Sequence, residues 1–171
     1  NIEGRTEPAE ISISGSDNNA ITIPNNPTPI IPTPTPNLLN LASINSIASK
    51  NISYVGDAIS YATTVSNVGN VPLGTYDVPV TVFTELSPSV SFIPGSLSIN
   101  NVPVNCVNPS QINLGILQPG DVRIITYSVR VNNACPNIVY NIQKLLYGYD
   151  PLYIGTSTFS VNGNIVMTYI N

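Results

Sequence analysis

The chain has no histidine and no tryptophan, one methionine and two cysteines, and charged residues make up 8% of it. Each shortage excludes something. Without histidine there is no Ser-His or Cys-His nucleophile system. Two cysteines with no histidine leave a metal ion short of ligands. Five basic residues scattered over 171 positions form no patch for nucleic acid. No apolar run approaches the ~20 residues of a membrane span. Disorder needs low hydrophobicity and high net charge. Here mean hydropathy is +0.18 and net charge is −4. The chain therefore folds, and its surface is built from Asn, Ser and Thr rather than Lys and Glu.

What is present is β-structure. Between residues 57 and 73, Ile59, Tyr61, Thr63 and Val65 alternate with Ser60, Ala62, Thr64 and Ser66. A period of two marks a strand with one buried face. It stops at Asn67-Val68-Gly69-Asn70, where Asn and Gly supply turn chemistry. Before it lie a first strand region around Leu39, Leu41 and 44–47, and a short run from Lys50 to Val55. After it come short apolar runs at 78–84, 89–93, 96–99, 102–104 and 112–117, separated by Pro94-Gly95, Asn100-Asn101 and Pro119-Gly120. A long run at 122–131 follows, then 138–142, 145–149, 158–161 and 165–170. No segment combines a 3.6-residue period with helix caps. Short strands at this spacing predict an all-β antiparallel sandwich of immunoglobulin type, carrying an extended N-terminal arm.

The chain divides into an arm (1–23), a linker (24–37) and the sandwich domain (38–171). Ile2-Glu3-Gly4-Arg5 resembles a protease-cleavage linker from recombinant expression, so residues 1–5 are set aside from fold reasoning. Ile11, Ile13, Ile21 and Ile23 lie in two alternating runs around Gly15-Ser16-Asp17-Asn18-Asn19, which reads as a small hairpin or two edge strands. Such a pair is marginal alone, so its apolar face must rest on its own domain or on a neighbouring copy. The Thr-Pro repeats of the linker favour extended polyproline II. At about 3.1 Å per residue, ~13 residues reach about 40 Å.

Four motifs stand in order: Gly56-Asp57 with Ile59-Ser60-Tyr61, then 67–73, then Phe92-Ile93-Pro94-Gly95-Ser96, then 114–121. In this order the sandwich resembles the bacterial surface repeat called domain of unknown function 11. That resemblance implies an immunoglobulin-like fold, a place in cell-wall or spore-associated surface proteins, and no catalytic residues. A single copy, two cysteines and a Pro-rich arm depart from the usual tandem pattern and fit a fibre or pilus-like subunit better.

Antiparallel geometry places Cys106 and Cys135 at one end of the sandwich. The expectation is an intradomain disulfide closing about 30 residues, worth on the order of 3–4 kcal/mol. Free thiols and cross-links between subunits are the alternatives. Asp57, Asp77, Glu85, Asp121 and Asp150 mostly neighbour Gly or Pro and read as turn residues rather than a glycosidase pair. They do not form the dense cluster of a calcium loop. Lys50 and Asn164 raise the idea of an isopeptide between end strands, but no acid accompanies them and a solvated lysine is the simpler reading. Asn51-Ile52-Ser53 is a glycosylation sequon, idle in a bacterial protein.

The expected function is a non-enzymatic structural protein of a cell or spore surface, without cofactor. Its arm adds strands to a neighbouring copy of the same chain, building an extracellular fibre or layer, with cell-wall or spore-surface components as further partners. The alternative is an adhesin or carbohydrate-binding module contacting ligand through Tyr140, Tyr147, Tyr149 and Tyr153.

Overall fold

A computed structural model describes residues 41–106, 108–150 and 155–171. The arm, the linker and Ile11, Ile13, Ile21 and Ile23 lie outside the described residues. What is described is all β: twelve strands and, among the described residues, no helix. The strands are β1 (Ala42–Ala48), β2 (Ile52–Ser53), β3 (Ala58–Asn67), β4 (Val80–Leu86), β5 (Val90–Phe92), β6 (Ser98–Ile99), β7 (Val102–Pro103), β8 (Gln111–Gly115), β9 (Val122–Val131), β10 (Ile138–Tyr149), β11 (Ser157–Asn162) and β12 (Val166–Ile170).

They form two six-stranded sheets. The first runs β1-β3-β9-β6-β7, with β5 also on β9. The second runs β2-β12-β10-β4-β8, with β11 also on β10. Pairing is antiparallel throughout except where β2 lies parallel to β12. There the chain leaves the first sheet at Ala48 and joins the second at Ile52, with three residues between. The immunoglobulin-like sandwich expected from the sequence is the observed fold.

The alternation in β3 is the clearest link from sequence to packing. Ile59, Tyr61, Thr63 and Val65 are buried, while Ser60 and Thr64 face water. β9 pairs with β3 over nearly its whole length and presents Ile125, Tyr127, Val129 and Val131 to the same interior. The second sheet answers with Val80, Val82, Val139, Leu145, Tyr147 and Tyr149. Burial of such side chains contributes roughly 1.5–3 kcal/mol each before chain entropy is counted.

One difference from the sequence reading concerns β10. Residues 138–142 and 145–149 read as separate runs because Gln143-Lys144 interrupts the apolar residues. The structure has one strand of 12 residues. Its inward positions include Asn141 and Gln143, both buried, and Gln143, a polar side chain inside the core next to exposed Lys144, disguised a continuous strand.

Two glycines permit close approach. Gly148 in β10 lies so near Val78 that an added methyl group would sit 2.8 Å from the Val78 carbonyl oxygen. Gly74 has φ +83° and would meet Val80 N at 2.9 Å. Both let the 74–78 connection lie flat against β10, where Gly74 N–H donates to the Gly148 carbonyl at 2.9 Å.

Candidate functional site

Inside the sandwich, the side chain of Gln143 joins the two sheets. Its Oε1 accepts from Ser46 Oγ of β1 at 2.5 Å and from Thr63 Oγ1 of β3 at 2.6 Å. Its Nε2 donates to Thr84 Oγ1 of β4 at 3.2 Å and to the Tyr127 hydroxyl of β9 at 3.4 Å. The Ser46 and Thr63 hydroxyl oxygens lie 3.0 Å apart, so either proton can be shared between the other hydroxyl and the amide oxygen. A buried amide with its donors and acceptors answered costs little and fixes which strands face which. The sequence reading missed this cluster. The available signal was the interruption at Gln143 within an otherwise apolar alternation.

The aromatic interior is similarly specific. Tyr61 and Tyr127 have ring centroids 5.5 Å apart. Burial pushes the Tyr61 phenol up to about 12 and raises Tyr127 further, helped by the neighbouring Tyr61. Among the described residues the Tyr61 hydroxyl has no hydrogen-bond partner.

The tyrosines of the ligand-binding alternative lie elsewhere than expected. Tyr147 and Tyr149 are not on loops. They are inward residues of β10, each 4% exposed, packed around Phe159 of β11 at centroid distances of 5.9 and 6.2 Å. Burial raises both phenols. Neither can press on a glycan. Tyr140 is half-buried, and Tyr153 lies outside the described residues.

The expected disulfide is not formed, and Cys106 and Cys135 are free thiols. Cys106 is half-buried and packs against the core. Cys135 is exposed in the 132–137 connection, its N–H on Asn133 Oδ1 at 3.3 Å and its carbonyl accepting from Ser89 Oγ at 3.4 Å. Shared position at one end of a sandwich does not bring two sulfurs together when one faces the interior and the other faces water.

Asp57 and Asp121 behave as turn residues, whereas Glu85 lies within β4 opposite Ile142, so the turn reading fails there. Asp57 accepts from Lys50 Nζ at 2.8 Å and Ser53 Oγ at 3.1 Å, and the Lys50 bond chiefly holds its carboxyl below the usual range. Asp121 accepts from Gln118 N–H at 3.0 Å and from Arg123 at 3.3 Å. Among the described residues no three of the His, Cys, Asp or Glu side chains converge as a metal site would require. Lys50 and Asn164, the isopeptide candidates, are engaged separately: Lys50 with Asp57, and Asn164 with the backbone of Ser46.

Both sheets expose apolar side chains. The outer side of the first sheet carries hydroxyl pairs, Ser60 bonded to Ser128 at 2.8 Å and Ser98 to Thr126 at 2.7 Å, beside exposed Ile47, Val122 and Ile124. The second sheet exposes Ile52, Phe83, Met167 and Tyr169.

Its strand edges are treated unequally. On β1, the Asn164 amide fills the free side: Oδ1 accepts from Ser46 N–H at 2.7 Å and Nδ2 donates to Ser46 O at 2.8 Å. On β8, Asn113 Oδ1 takes Gly115 N–H at 2.8 Å. β7 is two residues long and contains Pro103. β11 runs for six residues, Ser-Thr-Phe-Ser-Val-Asn, without charge, proline or glycine, and is largely exposed.

These features define a two-sheet immunoglobulin-like module with no assembled catalytic centre among its described residues. No family model matches the sequence, and no curated protein does. The fold is shared with solved pilin subunits. A variant of BcpA, the major pilin subunit of Bacillus cereus, superposes with a TM-score of 0.55 at 8% identity, covering 76% of this chain and 40% of the pilin. SpaD, the major pilin of Corynebacterium diphtheriae, gives 0.53 at 12% identity, covering 75% and 34%. The chain spans less than half the length of either pilin.

Proposed function

We propose that this protein is a non-catalytic structural subunit of an extracellular cell or spore surface, which assembles with copies of itself into a fibre or layer through its N-terminal arm. The observation that carries this reading is the edge of β11, which is six residues long, uncharged and largely exposed among the described residues. An exposed row of unpaired backbone groups is a template for another strand, and natural proteins blunt it unless it is used. The arm supplies strands of matching chemistry, with isoleucines at alternate positions and little charge. The pilin fold supports the same reading, as does the order of the four surface-repeat motifs. A surface low in lysine and rich in Asn, Ser and Thr suits a protein packed into a permanent assembly.

Electron microscopy of the purified chain tests it. Polymers are expected from the full chain. Removal of residues 1–36 should leave a folded monomer with an unchanged β circular-dichroism spectrum. Polymers that survive the deletion would refute the arm's role.

A further inference from the structure

The register of β11 shows which of its backbone groups are spoken for. Ser157, Phe159 and Val161 stand opposite Tyr149, Tyr147 and Leu145 of β10, and Gly163 N–H donates to the Gln143 carbonyl at 2.8 Å. On β10, Gly148 turns its N–H to Val78 and its carbonyl to Gly74, away from β11. Odd-numbered residues of β10 therefore bond odd-numbered residues of β11. The N–H and C=O of Thr158 and Ser160 point to the free side. The side chains alternate the other way. Phe159 stacks on inward-facing Tyr147, and Val161 lies opposite inward-facing Leu145. Phe159 is 38% exposed at the mouth of the sandwich.

We propose that this edge receives residues 20–23 of a second copy, Ala-Ile-Thr-Ile, with Ile21 and Ile23 seated against Phe159 and Val161. The proposal rests on the assembly reading above and specifies its acceptor. A strand bonded to Thr158 and Ser160 meets Phe159 and Val161 at non-hydrogen-bonded positions, where facing Cα atoms are about 4.5 Å apart and side chains are closest. Apolar residues are wanted there two apart in sequence, which is the spacing of Ile21 and Ile23. Thr22, between them, suits the wet face. The donor is another copy on the assembly reading above. The Thr-Pro spacer, whose sequence favours an extended course of about 40 Å, is long enough to reach one.

The test uses the full chain in a cysteine-free background, Cys106→Ser with Cys135→Ser, and begins with cross-linking. Chains bearing Ile21→Cys are mixed with chains bearing either Phe159→Cys or Val161→Cys and oxidised. A disulfide-linked dimer, mapped by mass spectrometry to residue 21 and one of the two acceptors, is the expected result, and which acceptor reacts gives the strand direction. Its absence from both mixtures overturns the proposal. Assembly is then read by electron microscopy and light scattering. Ser160→Pro removes one outward N–H and leaves the β10 ladder intact, so it should abolish polymers without lowering thermal stability. Ser160→Lys, which keeps that N–H but places a charge on the edge, should also abolish them, and it decides the matter if the proline variant unfolds. Loss of polymers in Ile21→Asp/Ile23→Asp with full retention in both Ser160 variants would overturn β11 as acceptor while leaving the arm's role standing. Polymers retained in the Ile21→Asp/Ile23→Asp variant would count against residues 20–23 as the donor.

Discussion

The side chain of Asn164 imitates a neighbouring strand to the backbone of Ser46, accepting its N–H at 2.7 Å and donating to its carbonyl at 2.8 Å. One amide thus answers the outward backbone groups of Ser46 as a neighbouring strand would. β11, by contrast, has no such side-chain cap among the described residues.

Replacing Asn164 with Ala should therefore do two things. Losing two hydrogen bonds at about 0.5–1.5 kcal/mol each lowers stability by about 1–3 kcal/mol in urea unfolding. Opening the β1 edge should also increase non-specific aggregation, seen as turbidity on heating. Asn164→Asp keeps an acceptor for Ser46 N–H but faces its carbonyl with a carboxylate, so it should fall no closer to the parent than Ala does.

The interior cluster predicts a non-additive mutant set. Gln143→Ala strips partners from Thr84 and Tyr127 and leaves a cavity, at a cost on the order of 3 kcal/mol or more. Gln143→Leu combined with Ser46→Ala and Thr63→Val replaces the network with apolar groups and should recover most of that loss. Chemical denaturation of the single and triple variants measures the difference. A triple variant less stable than Gln143→Ala would show that the network stabilises beyond its pairwise bonds.

How much of this was legible beforehand follows from the kind of signal each part leaves. β3 was plain because its period of two is unbroken from Ile59 to Ser66. The turns at Pro94-Gly95 and Pro119-Gly120 were plain because Gly95 and Gly120 adopt φ of +77° and +84°. β10 was misread because Gln143 is polar yet inward, and a polar residue in the core cannot be told from a break without its partners. Those partners, Ser46 and Thr63, lie 97 and 80 residues away. The cysteines failed for a related reason. Strand order gives the end of the sandwich at which a residue lies, while the side-chain direction in a loop is set by local turns such as the Asn133–Cys135 contact. Tyr147 and Tyr149 already stood in a strand-like run at 145–149, and what the run alone did not show is that both face the interior.

Thiol chemistry separates the two cysteines. Under denaturing conditions a thiol reagent should titrate two groups per chain without reductant. In the native protein Cys135, which is exposed, should react first and Cys106, packed against the core, more slowly. The melting temperature should not change with added reductant. A chain that titrates no thiols would contradict the free-thiol arrangement.

The buried tyrosines set an alkaline limit on stability. Tyr61 holds its proton to about pH 12 in the folded state, against an ordinary value of 10.0. A group whose folded value is raised contributes full stability below the unfolded value. That contribution is lost as pH climbs, because the unfolded chain releases the proton first. From pH 10 to about pH 12, then, Tyr61 alone removes up to about 1.4 kcal/mol per pH unit, and Tyr127, raised in the same direction, adds to the slope. Unfolding midpoints in urea should be flat from neutral pH to about pH 9 and fall steeply above pH 10. Tyr61→Phe should reduce that slope. Because the Tyr61 hydroxyl is buried without a partner among the described residues, the same substitution should leave stability at pH 7 unchanged or raised by about 1 kcal/mol. A loss of more than that at neutral pH would mean that the hydroxyl is hydrogen-bonded in solution, and the steep alkaline fall would then belong to Tyr127.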